Sequence, residues 1–211
     1  MLGASQRRLV STVERLPVTC RRSGGGAVLL GPWLVNVAVR LPTGHPLAAL
    51  DVRSAACWLG DVHLAAFERL GIEAARAEEP GLELVRWACF GGVTRGELVV
   101  GGRKLTGIAQ ERRRAGVVLV AGTLVTPPDW GLLCEAMGSP GDATLLAAST
   151  ISCAELAPVP PPAGAFAAAL ATQLGAEQHV SRGARHDFFT KLSFSHAVVY
   201  DDAPTVHRPF S

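Results

Sequence analysis

Residues 96 to 125, GELVVGGRKLTGIAQERRRAGVVLVAGTLV, constrain the fold more than any other stretch of the chain. ELVV (97–100), LTGIAQERR (105–113) and VVLVAGTLV (117–125) are rich in aliphatic and β-branched residues, with glycine-bearing breaks between them. That pattern predicts adjacent strands, the last two forming a hairpin that turns at RRAG. A sheet of this kind needs a second layer over its apolar face. DVRSAACWLGDVHLAAFERL (51–70) supplies one: Asp51 is a good N-cap, and Ala55, Trp58, Leu59, Val62, Ala66 and Leu70 recur at helical spacing before Gly71.

The remaining elements are shorter. LVRWACF (84–90) reads as another strand, joined to ELVV by the loop GGVTRG, and AVLLGPWLVNVAVRLP (27–42) reads as two strand-like runs broken at Gly31–Pro32. Asp129 is placed to cap a short helix over 130–137. APVPPPAG (157–164) is a rigid break ahead of a small-residue helix, AFAAALATQLG (165–175), and beyond about residue 177 no pattern stands out. The expectation is an α+β (mixed α/β) domain over 1–157, one sheet flanked by helices, followed by the break, helix and tail of 158–211.

Charge and hydropathy exclude several classes. Twenty basic against 18 acidic residues give a net charge of +2, too mild to argue for nucleic acid. No apolar run approaches the roughly 18 residues that cross a bilayer, so no membrane partner is expected. The N-terminal arginines are followed by no continuous apolar block, so a secretory signal is not expected. Five widely spaced cysteines, without a C-x-x-C pair, favour neither zinc nor a disulfide framework and fit a reducing, cytoplasmic setting.

Five places could carry chemistry or docking. Arg21-Arg22-Ser23-Gly24-Gly25-Gly26 combines two guanidinium forks with a backbone that a ligand can approach closely; its bland reading is a flexible, solvated loop. Lys104 is one of two lysines in an arginine-rich chain and lies among Gly101, Gly102 and Gly107, so it could neutralise a phosphate or polarise a carbonyl. The bland alternative is an exposed strand lysine. Cys89, before Phe90 and a glycine-rich loop, could be an accessible nucleophile or a buried structural thiol. Glu97 could hold a metal ion or simply be solvated. Arg112, Arg113 and Arg114 are expected at a hairpin tip, as a solubilising turn or a docking patch for an acidic partner.

Taken in order, LGASQ (2–6), RRSGGGAV (21–28), GELVVGGRKLTGIAQ (96–110) and AGTLV (121–125) resemble the biotin/lipoate protein ligase superfamily. The likeness is greatest to lipoate–protein ligases and the cysteine-dependent octanoyltransferases. The resemblance implies that Arg21, Arg22, Gly24, Gly25 and Gly26 wrap an acyl chain or acyl-adenylate. It also implies that Lys104 contacts the acyl carboxyl and the adenylate phosphate, and that Glu97 helps place magnesium. Small residues such as Gly107, Ala109 and Gly122 would leave room for a lipoyl or octanoyl chain. The implied partner is an acidic lipoyl carrier domain, whose lysine accepts the acyl group.

Three activities are therefore expected in turn. The first is a ligase using ATP and Mg2+ with lipoate or octanoate; the second an ATP-independent transferase with Cys89 as thioester nucleophile; the third a non-catalytic lipoyl-domain binder. Compared with members of the superfamily, the chain is expected to begin late and to lack part of the sheet. Leu30-Gly31 and Ala121 also stand where ligases carry histidine-bearing elements.

Overall fold

The computed structural model describes residues 1–13, 16–157 and 161–182. The tail beyond residue 182 and the start of the Pro-rich break, 158–160, lie outside the described residues.

The expected sheet is present as five antiparallel strands in the order β1-β5-β4-β3-β2. Their spans are β1 Leu34–Pro42, β2 Ala75–Arg76, β3 Leu98–Val100, β4 Arg103–Arg113 and β5 Gly116–Leu124. β4 and β5 form the hairpin that the sequence announces, from Thr106 opposite Thr123 down to Arg113 opposite Gly116. Strand β3 meets β4 with a register shift: Leu98 pairs with Thr106, yet Val99 pairs with Lys104. Leu105 is the extra residue of this bulge. A bulge changes which face the following side chains occupy, and its effect on Lys104 is central to the site.

Helix α1 (Val52–Arg69) begins where Asp51 predicts, its carboxylate accepting from the N–H groups of Arg53 and Ser54. It lies on one face of the sheet with α5 (Ala163–Arg182), and Leu59, Phe67, Leu105, Leu119, Phe166 and Leu170 fill the layer between. Phe67 stacks on Phe166 with ring centroids 4.8 Å apart. The helix after the Pro-rich break thus shares the core of the sheet domain. Three short helices lie between β5 and α5: α2 (Trp130–Ala136), capped by Asp129 as expected, α3 (Ala143–Ser149) and α4 (Cys153–Leu156).

A second apolar cluster lies under the loops, where Ala27, Val28, Val85, Ala88 and Phe90 meet Trp130 and Leu133 of α2. Here the structure corrects two expectations. Residues 84–90 form no strand, and 27–30 contribute a single bridge, Ala27 to Ala88, rather than a strand. Both runs are apolar because their side chains are buried, while their backbones turn. The N–H groups of Leu84 and Val85 both reach Gly91 O, folding 84–91 back on itself. Burial and strand pairing give the same signature in a short apolar run.

Helix α1 approaches the turn before β3 closely enough to exclude any Cβ. A Cβ on Gly60 would stand 2.3 Å from Gly96 O, and one on Gly96, whose φ is 92°, would stand 2.7 Å from the Ala56 carbonyl carbon. Gly96→Ala should therefore lower stability by on the order of 2 kcal/mol or more, from backbone strain and overpacking together. Denaturant titration of the variant checks this.

His63 of α1 is fully buried, with Nδ1 on Leu59 O at 2.8 Å and Nε2 unpartnered near Phe166. Burial pushes its imidazole down to about 4 from 6.5. The unfolded chain takes up this proton first, so the contribution to stability is complete above pH 6.5 and is lost as pH falls toward 4. The loss should amount to about 3 kcal/mol. It should be absent from His63→Leu when denaturation midpoints are followed across that pH window.

Candidate active site

Most of the sequence-expected site residues meet on the face of the sheet opposite α1. The bulge at Leu105 brings this about. In a regular strand, residues 104 and 107 point to opposite faces. Here a Cβ on Gly107 would stand 3.2 Å from Lys104 Cε, so the two share a face. Lys104 is not the exposed strand lysine of the bland reading. It is 2% exposed.

An ammonium has three N–H donors, and all three are occupied. Lys104 Nζ donates to Cys89 O and Gly92 O at 2.8 Å each and pairs with Glu97 Oε2 at 2.7 Å. The Phe90 ring lies 5.5 Å from Nζ, adding a cation–π contact. One buried cation thus ties the Cys89 loop to the turn before β3. Glu97 is itself held: the Thr94 N–H donates to Oε2 at 2.7 Å and the Ile108 N–H to Oε1 at 3.0 Å. The sequence offered Glu97 as a metal ligand, and the structure sets its carboxylate against Lys104. Among the described residues no group of three His, Cys, Asp or Glu side chains could hold a metal ion.

The glycine loop is stitched to the Cys89 loop by backbone. Ala27 N–H donates to Trp87 O at 2.7 Å and Cys89 N–H to Ala27 O at 2.8 Å. Gly26 makes this possible, since a Cβ there would stand 2.4 Å from Trp87 O. Arg21 folds over its own loop, with Nε on Gly24 O at 3.1 Å and Nη2 on Gly26 O at 2.7 Å. Its Nη1 is buried and has no hydrogen-bond partner among the described residues. A buried guanidinium donor left open is costly, and an anionic or carbonyl oxygen would complete it. Arg22, by contrast, is exposed, as are Gly24 and Gly25.

Arg21 and Cys89 line one small cavity with Phe90, Gly107, Ala109 and Gly122. Cys89 Sγ lies 3.8 Å from where a Cβ on Gly25 would stand, and Arg21 Nη2 lies 2.8 Å from the same point. Thiol and guanidinium therefore border the same space. The floor is a cross-strand row, Gly107 opposite Gly122 and Gly122 opposite Asn36, and two facing glycines leave it low. Next to this cavity is an apolar one of about 510 Å³, lined by Leu2, Val18, Ala27, Leu29, Leu133 and Met137. Met1 and Val28 line both.

Sequence reasoning missed three contributors. Asn36, whose Oδ1 would lie 3.3 Å from a Cβ on Gly122, is the one polar residue in the strand run LVNVAV, a signal that was readable. Gln6 donates from Nε2 to Trp87 O at 2.8 Å, which explains the glutamine of LGASQ. Phe90 covers Lys104. The arginines of 112–114 lie outside the site. All three are exposed at the β4–β5 tip, where Arg112 Nη2 donates to Leu50 O at 2.7 Å and Arg113 pairs with Glu111.

Comparison with known proteins places the family and the fold. Residues 7–155, more than half of the chain, match the family described as lipoyl protein ligase A/B catalytic domain. The chain is 30% identical over 122 residues to the octanoyltransferase LipM of Oceanobacillus iheyensis, covering 58% of this chain and 44% of that protein. Its fold is similar to that of a lipoate-protein ligase A solved with ATP (TM-score 0.56, 19% identity, 76% of this chain and 58% of that one). It is also similar to the bipartite lipoate protein ligase of Thermoplasma acidophilum, described with its E2 lipoyl domain (TM-score 0.56, 17% identity, 76% and 57%). The chain spans less than two thirds of the length of each. With a match over most of its sheet domain and a shared fold, the chain belongs to the lipoyl protein ligase A/B catalytic domain family.

Proposed function

We propose that this chain transfers an octanoyl or lipoyl group to a lysine of a lipoyl carrier domain through a thioester on Cys89. The observation that carries the reading is the placement of Cys89 in the wall of a glycine-floored cavity that Arg21 also lines. The likeness to an octanoyltransferase supports it.

The chemistry balances without a nucleotide. Cys89 Sγ attacks the carbonyl carbon of an acyl thioester, a new S–C bond forms, and the donor's thiol leaves with the proton. The amine of the carrier lysine then attacks the same carbon, a C–N bond forms, and Cys89 leaves as the thiol. Negative charge develops on the carbonyl oxygen in both steps, and donors aimed at that oxygen lower both barriers. Arg21 lines the cavity, and its Nη1 has no hydrogen-bond partner among the described residues. Lys104 supplies positive charge beneath the loop that carries the thiol, and exchange of one of its carbonyl partners for the acyl oxygen would bring it onto substrate. The neighbouring apolar cavity of about 510 Å³ falls within the usual range for small-ligand sites, roughly 300–1,000 Å³, and suits a saturated chain.

A ligase is the second reading, and one observation favours it: the open Arg21 donor suits a carboxylate or adenylate oxygen as well as a carbonyl. ATP would then activate the carboxylate of lipoate or octanoate as an acyl-adenylate, with pyrophosphate as the leaving group. Magnesium does not fit at Glu97 as the carboxylate is arranged, and no step is derived through it.

Two assays separate the readings, both with an apo lipoyl domain as acceptor. One supplies octanoyl-carrier protein without ATP; the other supplies octanoate, ATP and magnesium. Mass gain on the domain in the first assay, abolished by Cys89→Ser, is the expected result. Gain in the second assay alone, kept in Cys89→Ser, would establish the ligase. Binding without gain in either would leave a lipoyl-domain binder.

Lys104→Ala should lower whichever transfer is observed by roughly 10²-fold or more, the scale of losing a charge-stabilising donor. Transfer at the wild-type rate would remove Lys104 from the site.

A further inference from the structure

We infer that Glu97 is the counter-ion that positions Lys104 and, through it, the Cys89 loop, and that it holds no magnesium. The functional half of this inference deepens the acyl-transfer reading and rests on it; the pairing itself does not.

Both side chains are nearly sealed from water, Lys104 at 2% and Glu97 at 4% exposure, and their charged atoms are 2.7 Å apart. A buried cation without a counter-charge is strongly destabilising, and among the described residues that touch Nζ Glu97 carries the negative charge. The carboxylate is also saturated in a directed way. Thr94, in the turn before β3, fixes Oε2, and Ile108 of β4 fixes Oε1, so two elements orient it toward Nζ. Gly107 lets the lysine stem lie close to β4, since a Cβ there would stand 3.2 Å from Lys104 Cε.

Magnesium asks for something else. It takes six oxygens in near-octahedral geometry and keeps several waters. Glu97 is sealed from solvent, has an ammonium as its nearest ion, and has no second carboxylate beside it among the described residues.

Positioning follows from the geometry. The ammonium that Glu97 anchors also grips Cys89 O and Gly92 O. Without the carboxylate, Nζ is no longer held at the point where the three acceptors converge, and the thiol-bearing loop loses its tether.

The test compares wild type, Glu97→Gln, Lys104→Met and the double variant. Urea midpoints are measured with and without magnesium chloride, and the single-turnover acylation of Cys89 by octanoyl-carrier protein is followed over donor concentration. Each single variant should have a lower midpoint, and the double variant should recover most of that loss because it removes both charges together. Magnesium should leave every midpoint unmoved. Acylation of Glu97→Gln at saturating donor should slow roughly tenfold or more, with the half-saturating donor concentration unchanged.

The inference is overturned if the two single effects simply add. It is also overturned if magnesium raises the midpoint of wild type and Lys104→Met but not of Glu97→Gln, or if Glu97→Gln acylates at the wild-type rate. If wild type itself forms no adduct, the acyl-transfer reading fails, and the midpoints still decide the pairing.

Discussion

The ammonium of Lys104 is buried against three protein acceptors, and the rest of the site is arranged around that fact. Burying a cation is unfavourable by several kcal/mol unless its charge and all its donors are met. Here they are met by Glu97 and by the carbonyls of Cys89 and Gly92. Those acceptors come from two parts of the segment that runs into β3, the Cys89 loop and the turn that carries Glu97. The lysine can be buried only if both are in place, and each is fixed in part by the lysine. The bulge at Leu105 aims the side chain at them, and Phe90 closes over it.

Close backbone approach is the second constraint. Gly26 lets the arginine-glycine loop lie against the 87–89 backbone, and Gly60 and Gly96 let α1 rest on the turn that presents Glu97. Gly107 and Gly122 face each other to leave the cavity its depth. At Gly26, Gly60 and Gly96 the glycine is required by backbone that a Cβ would strike. These contacts bring Arg21, a thiol and an apolar hollow together on one face while the opposite face is filled by α1 and α5. The fold therefore separates stability from chemistry: one side of the sheet is packed solid and the other is floored with small residues.

Much of this was legible in the sequence. The β4–β5 hairpin, α1 with its Asp51 cap and α2 with its Asp129 cap follow from periodicity and capping residues, and each formed where expected. The runs 27–30 and 84–90 were misread because apolar composition reports burial, and burial in an irregular loop looks like burial in a strand. At the site, the sequence could mark Arg21, Cys89, Glu97 and Lys104 as a group through the resemblance. It could not show that Lys104 is buried, because a one-residue bulge decides the face and leaves no compositional trace. Nor could it pair Lys104 with Glu97, since that contact depends on the register of β3 against β4.

The claim that binds these observations together is that Cys89 becomes acylated. The most direct measurement is peptide mass spectrometry of the enzyme quenched during a single turnover with octanoyl-carrier protein. The account predicts an octanoyl mass on the peptide containing Cys89, released by hydroxylamine and chased onto the lipoyl domain when acceptor is added. Label that never appears on that peptide while the domain becomes octanoylated would contradict it.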